Sequence, residues 1–157
     1  MPEKAPAVIK GGFRKRSLPM SVDYRPMYKI GLVTLILDMV SSGGKSSLNK
    51  LHFFVWSLKS AKNREYIKQI IDSNRTEDIV SWGVEPALNK ALLLGVAEGL
   101  FQLQNGKYAL TQRGKQFAGT IQQDKTLFAP EKQFLAAIGK RTVTEKFMSD
   151  LTQKISS

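Results

Sequence analysis

Apolar residues recur at helical spacing along most of this chain, with one short stretch that breaks the pattern. Residues 26–41 place Ile30, Val33, Leu37 and Val40 on one stripe. Pro26 suits the first turn of such a helix, because its missing N–H is not needed there. Ser41-Ser42-Gly43-Gly44 stops it. Ser46 or Ser47 supplies the N-cap of a second helix, SLNKLHFFVWSLKS, with Leu48, Leu51, Val55 and Leu58 as its inner stripe. Phe53, Phe54 and Trp56 widen the apolar girth beyond that stripe, so this helix is either buried on several sides or offered to a partner. A third helix over 63–72 buries Tyr66, Ile67, Ile70 and Ile71, and the stretch from Ser73 to Gly83 is polar and ends in a turn.

The break in helical spacing comes after residue 85. Glu85 and Pro86 open the helix EPALNKALLLGVAEG, which Gly99 ends. A strand, LFQLQ, follows, and Asn105-Gly106 makes the tight turn that such a pair favours. The chain returns as KYAL, and Thr111 caps the helix QRGKQFAGTIQQ. Phe134, Leu135 and Ile138 mark one further amphipathic helix; Val143, Phe147, Leu151 and Ile155 mark another. There is no internal repeat. The succession predicts a mainly α fold, a winged helix-turn-helix with a small two-stranded β-hairpin wing and additional C-terminal helices. The string EGL…NGKYALTQRGK resembles the wing region of that superfamily, which speaks for fold and says little about function. The expected organisation is a flexible basic arm over 1–20, a winged-helix domain over 21–123 and a helical extension over 124–157. The arm combines three prolines, a Gly-Gly pair and Arg14-Lys15-Arg16.

Composition narrows the function classes. The 157 residues, 42% of them hydrophobic, are enough to bury a core, and no run of apolar residues is long enough to span a membrane. With no cysteine there are no disulfides and no thiolate metal sites, and MPEKAPAVIKGGFRKR lacks the apolar core of a secretory signal, so a cytoplasmic protein is expected. The net charge is +11, and residues 1–64 hold 12 Lys/Arg against 3 Asp/Glu. That asymmetry points to phosphate or an acidic protein surface as partner; the plainer alternative is a solubilising tail.

Candidate chemistry is thin. Ser41-Ser42-Gly43-Gly44-Lys45-Ser46 has the Gly-Lys-Ser end of a phosphate loop, but the glycine such a loop needs five positions earlier is Met39. His52 is the only histidine, and nothing near it in sequence supplies a catalytic partner, so a packed or partner-facing histidine is expected. Glu77-Asp78 read as solvated. No enzyme activity, cofactor or metal is expected. Nor does the helix before the hairpin look like a reader of bases: it offers Asn89 and Lys90 beside Leu88, Leu92, Leu93, Leu94 and Val96, and Glu85 and Glu98 at its ends oppose phosphate. The hairpin tip Gln104-Asn105-Gly106-Lys107 has one cation. Non-specific, salt-sensitive contact remains open for Arg14, Lys15, Arg16, Lys45, Lys50, Lys90, Lys107 and Arg113, with Lys59, Lys62, Arg64 and Lys115 nearby in sequence.

Leu48-Asn49-Lys50-Leu51-His52-Phe53-Phe54-Val55-Trp56-Ser57-Leu58, taken with Pro86 to Leu92, Ala97 to Leu100 and Tyr108 to Thr111, resembles the small middle component of ABC-three-component systems, which include the Lamassu-type anti-phage systems. The resemblance spans roughly residues 24–121. It implies a non-enzymatic winged-helix accessory subunit of an SMC-like ABC ATPase, bridging it to an effector such as a nuclease. His52, Phe53, Trp56 and Leu93 are the candidates for the partner-binding surface, Phe53 and Trp56 equally placed to complete the core. The rival expectation is a transcriptional regulator of the PadR or MarR sort, dimerising through its terminal helices and using Asn89, Lys90, Lys107 and Arg113 on an operator.

Overall fold

A computed structural model of the chain describes residues 26–73 and 85–156. The Arg14-Lys15-Arg16 arm, Glu77-Asp78 and most of the polar stretch before Glu85 lie outside them. Among the described residues seven α-helices surround a small antiparallel sheet: α1 (Pro26–Met39), β1 (Lys45–Ser47), α2 (Leu48–Leu58), α3 (Ala61–Asp72), α4 (Pro86–Ala97), β2 (Phe101–Gln104), β3 (Lys107–Leu110), α5 (Gln112–Gln123), α6 (Ala129–Ile138) and α7 (Glu145–Ser156).

The expected single stripe on α1 gives way to burial on every side. Besides Ile30, Val33 and Leu37, the side chains of Leu32, Leu35 and Ile36 are closed off from solvent. The reason is position: α1 touches α2, α4, α5, α6 and β3, so only its two ends, at Met27-Tyr28 and Asp38-Met39, reach water. Thr34 is accommodated in this setting by donating its hydroxyl to the Ile30 carbonyl.

The expected two-stranded wing is a three-stranded sheet in the order β1-β3-β2. Ser46 stands opposite Tyr108, and Tyr108 opposite Leu103, so β3 is the central strand. At the hairpin, Asn105 and Gly106 both have positive φ (53° and 80°), the backbone a two-residue turn of primed type requires. Ser42–Gly44 is a short 3-10 turn that runs into β1, whose first residue, Lys45, is extended and exposed, so the Gly-Lys-Ser step leads into a strand and not into a helix.

Local chemistry sets the helix ends. Ser47 caps α2, its hydroxyl accepting from Lys50 N–H at 3.2 Å, and Ser60 caps α3 through Asn63 N–H at 3.0 Å, two residues earlier than the spacing predicts. Within α3, Ile67 and Ile70 are buried, Ile71 is half-buried and Tyr66 is exposed. At the end of α4, Leu100 N–H donates to Gly95 O and Gly99 N–H to Val96 O, the paired closure that a glycine at positive φ permits. Thr111 caps α5 by accepting from Gly114 N–H at 2.9 Å and ties back to Leu100 through its own N–H.

The residues of 124–157 share the core of the rest. Phe134, Leu135, Ile138, Val143, Met148 and Leu151 belong to the same buried cluster as the α1 and α2 side chains. Helix α7 is fixed to the start of α2 at two points: Glu145 accepts from Ser47 N–H at 3.0 Å, and Asn49 donates to the Thr152 hydroxyl at 2.7 Å.

Candidate functional site

The feature that stands out is α4. Leu88, Ala91, Leu92 and Gly95 turn inward at helical spacing, and Phe101 packs so tightly on Gly95 that a methyl there would lie 2.3 Å from its ring. The opposite face is built from Pro86, Asn89, Lys90, Leu93, Val96 and Ala97, all exposed, with Leu94 at its edge. Leu93 is the most open of its large apolar side chains, at 74% exposure. On β2, Leu103 is 60% exposed and lies two residues on from Phe101, hence on the same side of the strand. A helix of ordinary surface character would place charge at these positions; here Lys90 is the one charged side chain on α4 from Pro86 to Ala97.

The N-terminal end of α4 is anchored by a polar cluster. Glu85 N–H donates to His52 Nδ1 at 3.2 Å. The Glu85 carboxylate lies 3.4 Å from the buried Lys29 ammonium and 3.5 Å from Lys59. Burial pushes the His52 pKa below its ordinary value, with the Glu85 charge working against that shift. At the other end, Glu98 lies 3.9 Å from Arg113, an exposed pair of small energetic consequence.

No family model matches the chain, and no curated protein or solved structure matches it.

The candidate partner-binding residues separate on this geometry. Leu93 is fully presented. Trp56 is half-buried, its ring 6.3 Å from that of Tyr66 in an edge-to-face arrangement. Phe53 is a correction: it is fully buried, edge-on to Phe54 at 5.3 Å, and has no surface to offer a partner. His52, at 7% exposure, is also enclosed, and its ring nitrogen serves the start of α4. Helical spacing within α2 cannot distinguish these cases, because α1, α3, β1 and α7 cover it from several directions.

Among the candidates for nucleic-acid contact, Lys50 is likewise a correction. It is buried, and its ammonium donates to the Val40 carbonyl at 2.8 Å. Burial lowers its pKa, the Glu145 charge raises it and Lys107 lowers it further. Lys45 and Lys107 share the sheet face opposite Phe101 and Leu110, Lys90 stands on α4 and Arg113 opens α5. These cations are therefore divided among four elements.

Two residues that matter here escaped sequence reasoning. Lys29 sits in an apolar helix and gives no periodic signal of its role. Glu85 reads in sequence as a carboxylate set against phosphate, yet its charge is turned toward Lys29 and Lys59. Among the described residues no cluster of His, Cys, Asp and Glu is arranged to hold a metal, and no helix is long and apolar enough to cross a membrane.

Proposed function

We propose that this protein is a winged-helix subunit that acts by binding other proteins, as the middle component of an ABC-three-component system of the Lamassu type. In that role it is a non-enzymatic accessory of an SMC-like ABC ATPase and bridges it to an effector such as a nuclease. The fold part of the reading is supported by element order: a helix, a short strand, helices, then a helix leading into a hairpin whose second strand pairs with the first. The observation that carries the functional part is the outer face of α4. In a DNA-reading winged helix that face needs side chains able to hydrogen-bond base edges. Here Leu93 dominates it, and an exposed apolar face on the presented helix is the mark of a protein–protein contact.

The regulator reading has less support. Dimerisation through terminal helices needs apolar surface left over on them, whereas Phe134, Leu135, Ile138, Met148 and Leu151 are spent on the chain's own core. The test is affinity purification of the tagged protein from its native host with nuclease added. Recovery of a large coiled-coil ATPase with a putative effector is the expected result. A lone homodimer that binds a defined duplex would overturn the reading.

A further inference from the structure

We infer that the outer face of α4 receives an amphipathic helix of a partner protein whose apolar stripe is bordered by carboxylates. This rests on the protein-binding reading above and names the chemistry of the segment bound. Three observations support it.

The first is shape. Along α4, Asn89, Leu93 and Ala97 form one row at four-residue spacing, and Lys90, Leu93 and Val96 form another at three-residue spacing. Leu93 is the shared point of both rows, and Ala97, next along the first row, carries a much smaller side chain. A ridge next to a groove is what a second helix packs against.

The second is rigidity. The start of α4 is held through Glu85 by His52, Lys29 and Lys59, and its end is closed by the Gly99 turn. Its inner face is locked on Phe101 through Gly95. A platform already ordered loses little conformational freedom on binding.

The third is charge. Lys90 is the only charged side chain on the face itself. Glu85 at one end is met by two ammonium groups, and Glu98 at the other by Arg113. Among the described residues the charged side chains at the border of the apolar patch are thus positive or paired, and carboxylates on a partner helix complement it. A second copy of this chain complements it poorly, because each copy carries a net charge of +11. A phosphate backbone fares no better: Leu93, the most exposed large hydrophobic side chain among the described residues, strips water from phosphate and gives no hydrogen bond in return.

The experiment titrates the full chain against two labelled synthetic helical peptides of roughly 20 residues, a length that allows a stable helix. Both carry the same leucine stripe, flanked by Glu in one and by Lys in the other; fluorescence anisotropy reads binding. The Glu-flanked peptide is expected to bind at least about tenfold more tightly, and Leu93→Asp to weaken it by about tenfold or more. Lys90→Glu is expected to reverse the preference between the peptides, which a misfolded variant would not do. Equal binding of the two peptides, no binding of either, or indifference to Leu93→Asp overturns the inference. So does sedimentation of the chain alone as a dimer that Leu93→Asp dissolves, or a DNA duplex that competes the peptide off. Failure here is separable from failure of the functional reading. If the ATPase still co-purifies with the Leu93→Asp variant, this face is wrong and the subunit reading stands. If the acidic peptide binds but no ATPase is ever recovered, the surface stands and the subunit reading fails.

Discussion

At the scale of single residues, His52 shows how a ring meant for titration can be held out of it. Its Nδ1 accepts the Glu85 N–H, and a proton on that nitrogen would set two donors against each other. Burial lowers the pKa in the folded protein below the ordinary 6.5 of the unfolded chain. The unfolded state therefore binds the proton more readily, and the stability this site contributes is present above that value and is lost as pH falls through the folded pKa. Urea midpoints measured at about pH 7.5 and pH 5 should fall with acid, and His52→Asn, whose side-chain oxygen can accept the same N–H, should flatten that part of the dependence. The same neighbourhood marks a limit of reading sequence. That His52 lies in an apolar helix is plain from spacing, whereas the partner that fixes its role comes from a residue 33 positions away.

At the scale of elements, the two glycines of α5 make a controlled pair. A methyl added at Gly114 would lie 2.1 Å from the Leu100 carbonyl oxygen, backbone that cannot step aside. At Gly119 nothing lies within 4 Å of it. Gly114→Ala should cost about 1–3 kcal/mol through overpacking, while Gly119→Ala, in the same helix, should stabilise by about 0.5–1 kcal/mol. Denaturant unfolding of both variants checks the opposite signs. This close approach also gives the stretch Leu110-Thr111-Gln112-Arg113-Gly114 its physical meaning: Thr111 caps the helix and Gly114 lets its first turn touch the residue before the hairpin. Such elements are legible in sequence because each rests on local chemistry, as Asn105-Gly106, Gly99 and Thr111 do. By contrast, β1 is three residues, Lys-Ser-Ser, with no intrinsic preference for a strand. It exists because β3 has a free edge to pair with, and no local pattern announces that.

At the scale of the whole molecule, the last two helices are structural partners of the first two. Met148 and Leu151 of α7 are buried in the common cluster, each worth roughly 1.5–3 kcal/mol on burial. Calorimetry of the intact chain should give a single transition, and deleting residues 145–157 should lower its midpoint. Two separated transitions would show instead that 124–157 unfolds by itself. The amphipathic pattern of these helices is readable from sequence, but what they cover is not, since a stripe does not name the surface it will meet. The enclosure of α1 carries a further consequence, in time. The helix ends at Met39, whereas α6, which covers part of it, ends at Ile138. At ~5–20 residues per second, ribosomal synthesis leaves this apolar segment waiting on the order of 5–20 s for its last neighbours. Throughout that interval α1 lacks its full set of neighbours, so the nascent chain is the form most in need of a chaperone's cover.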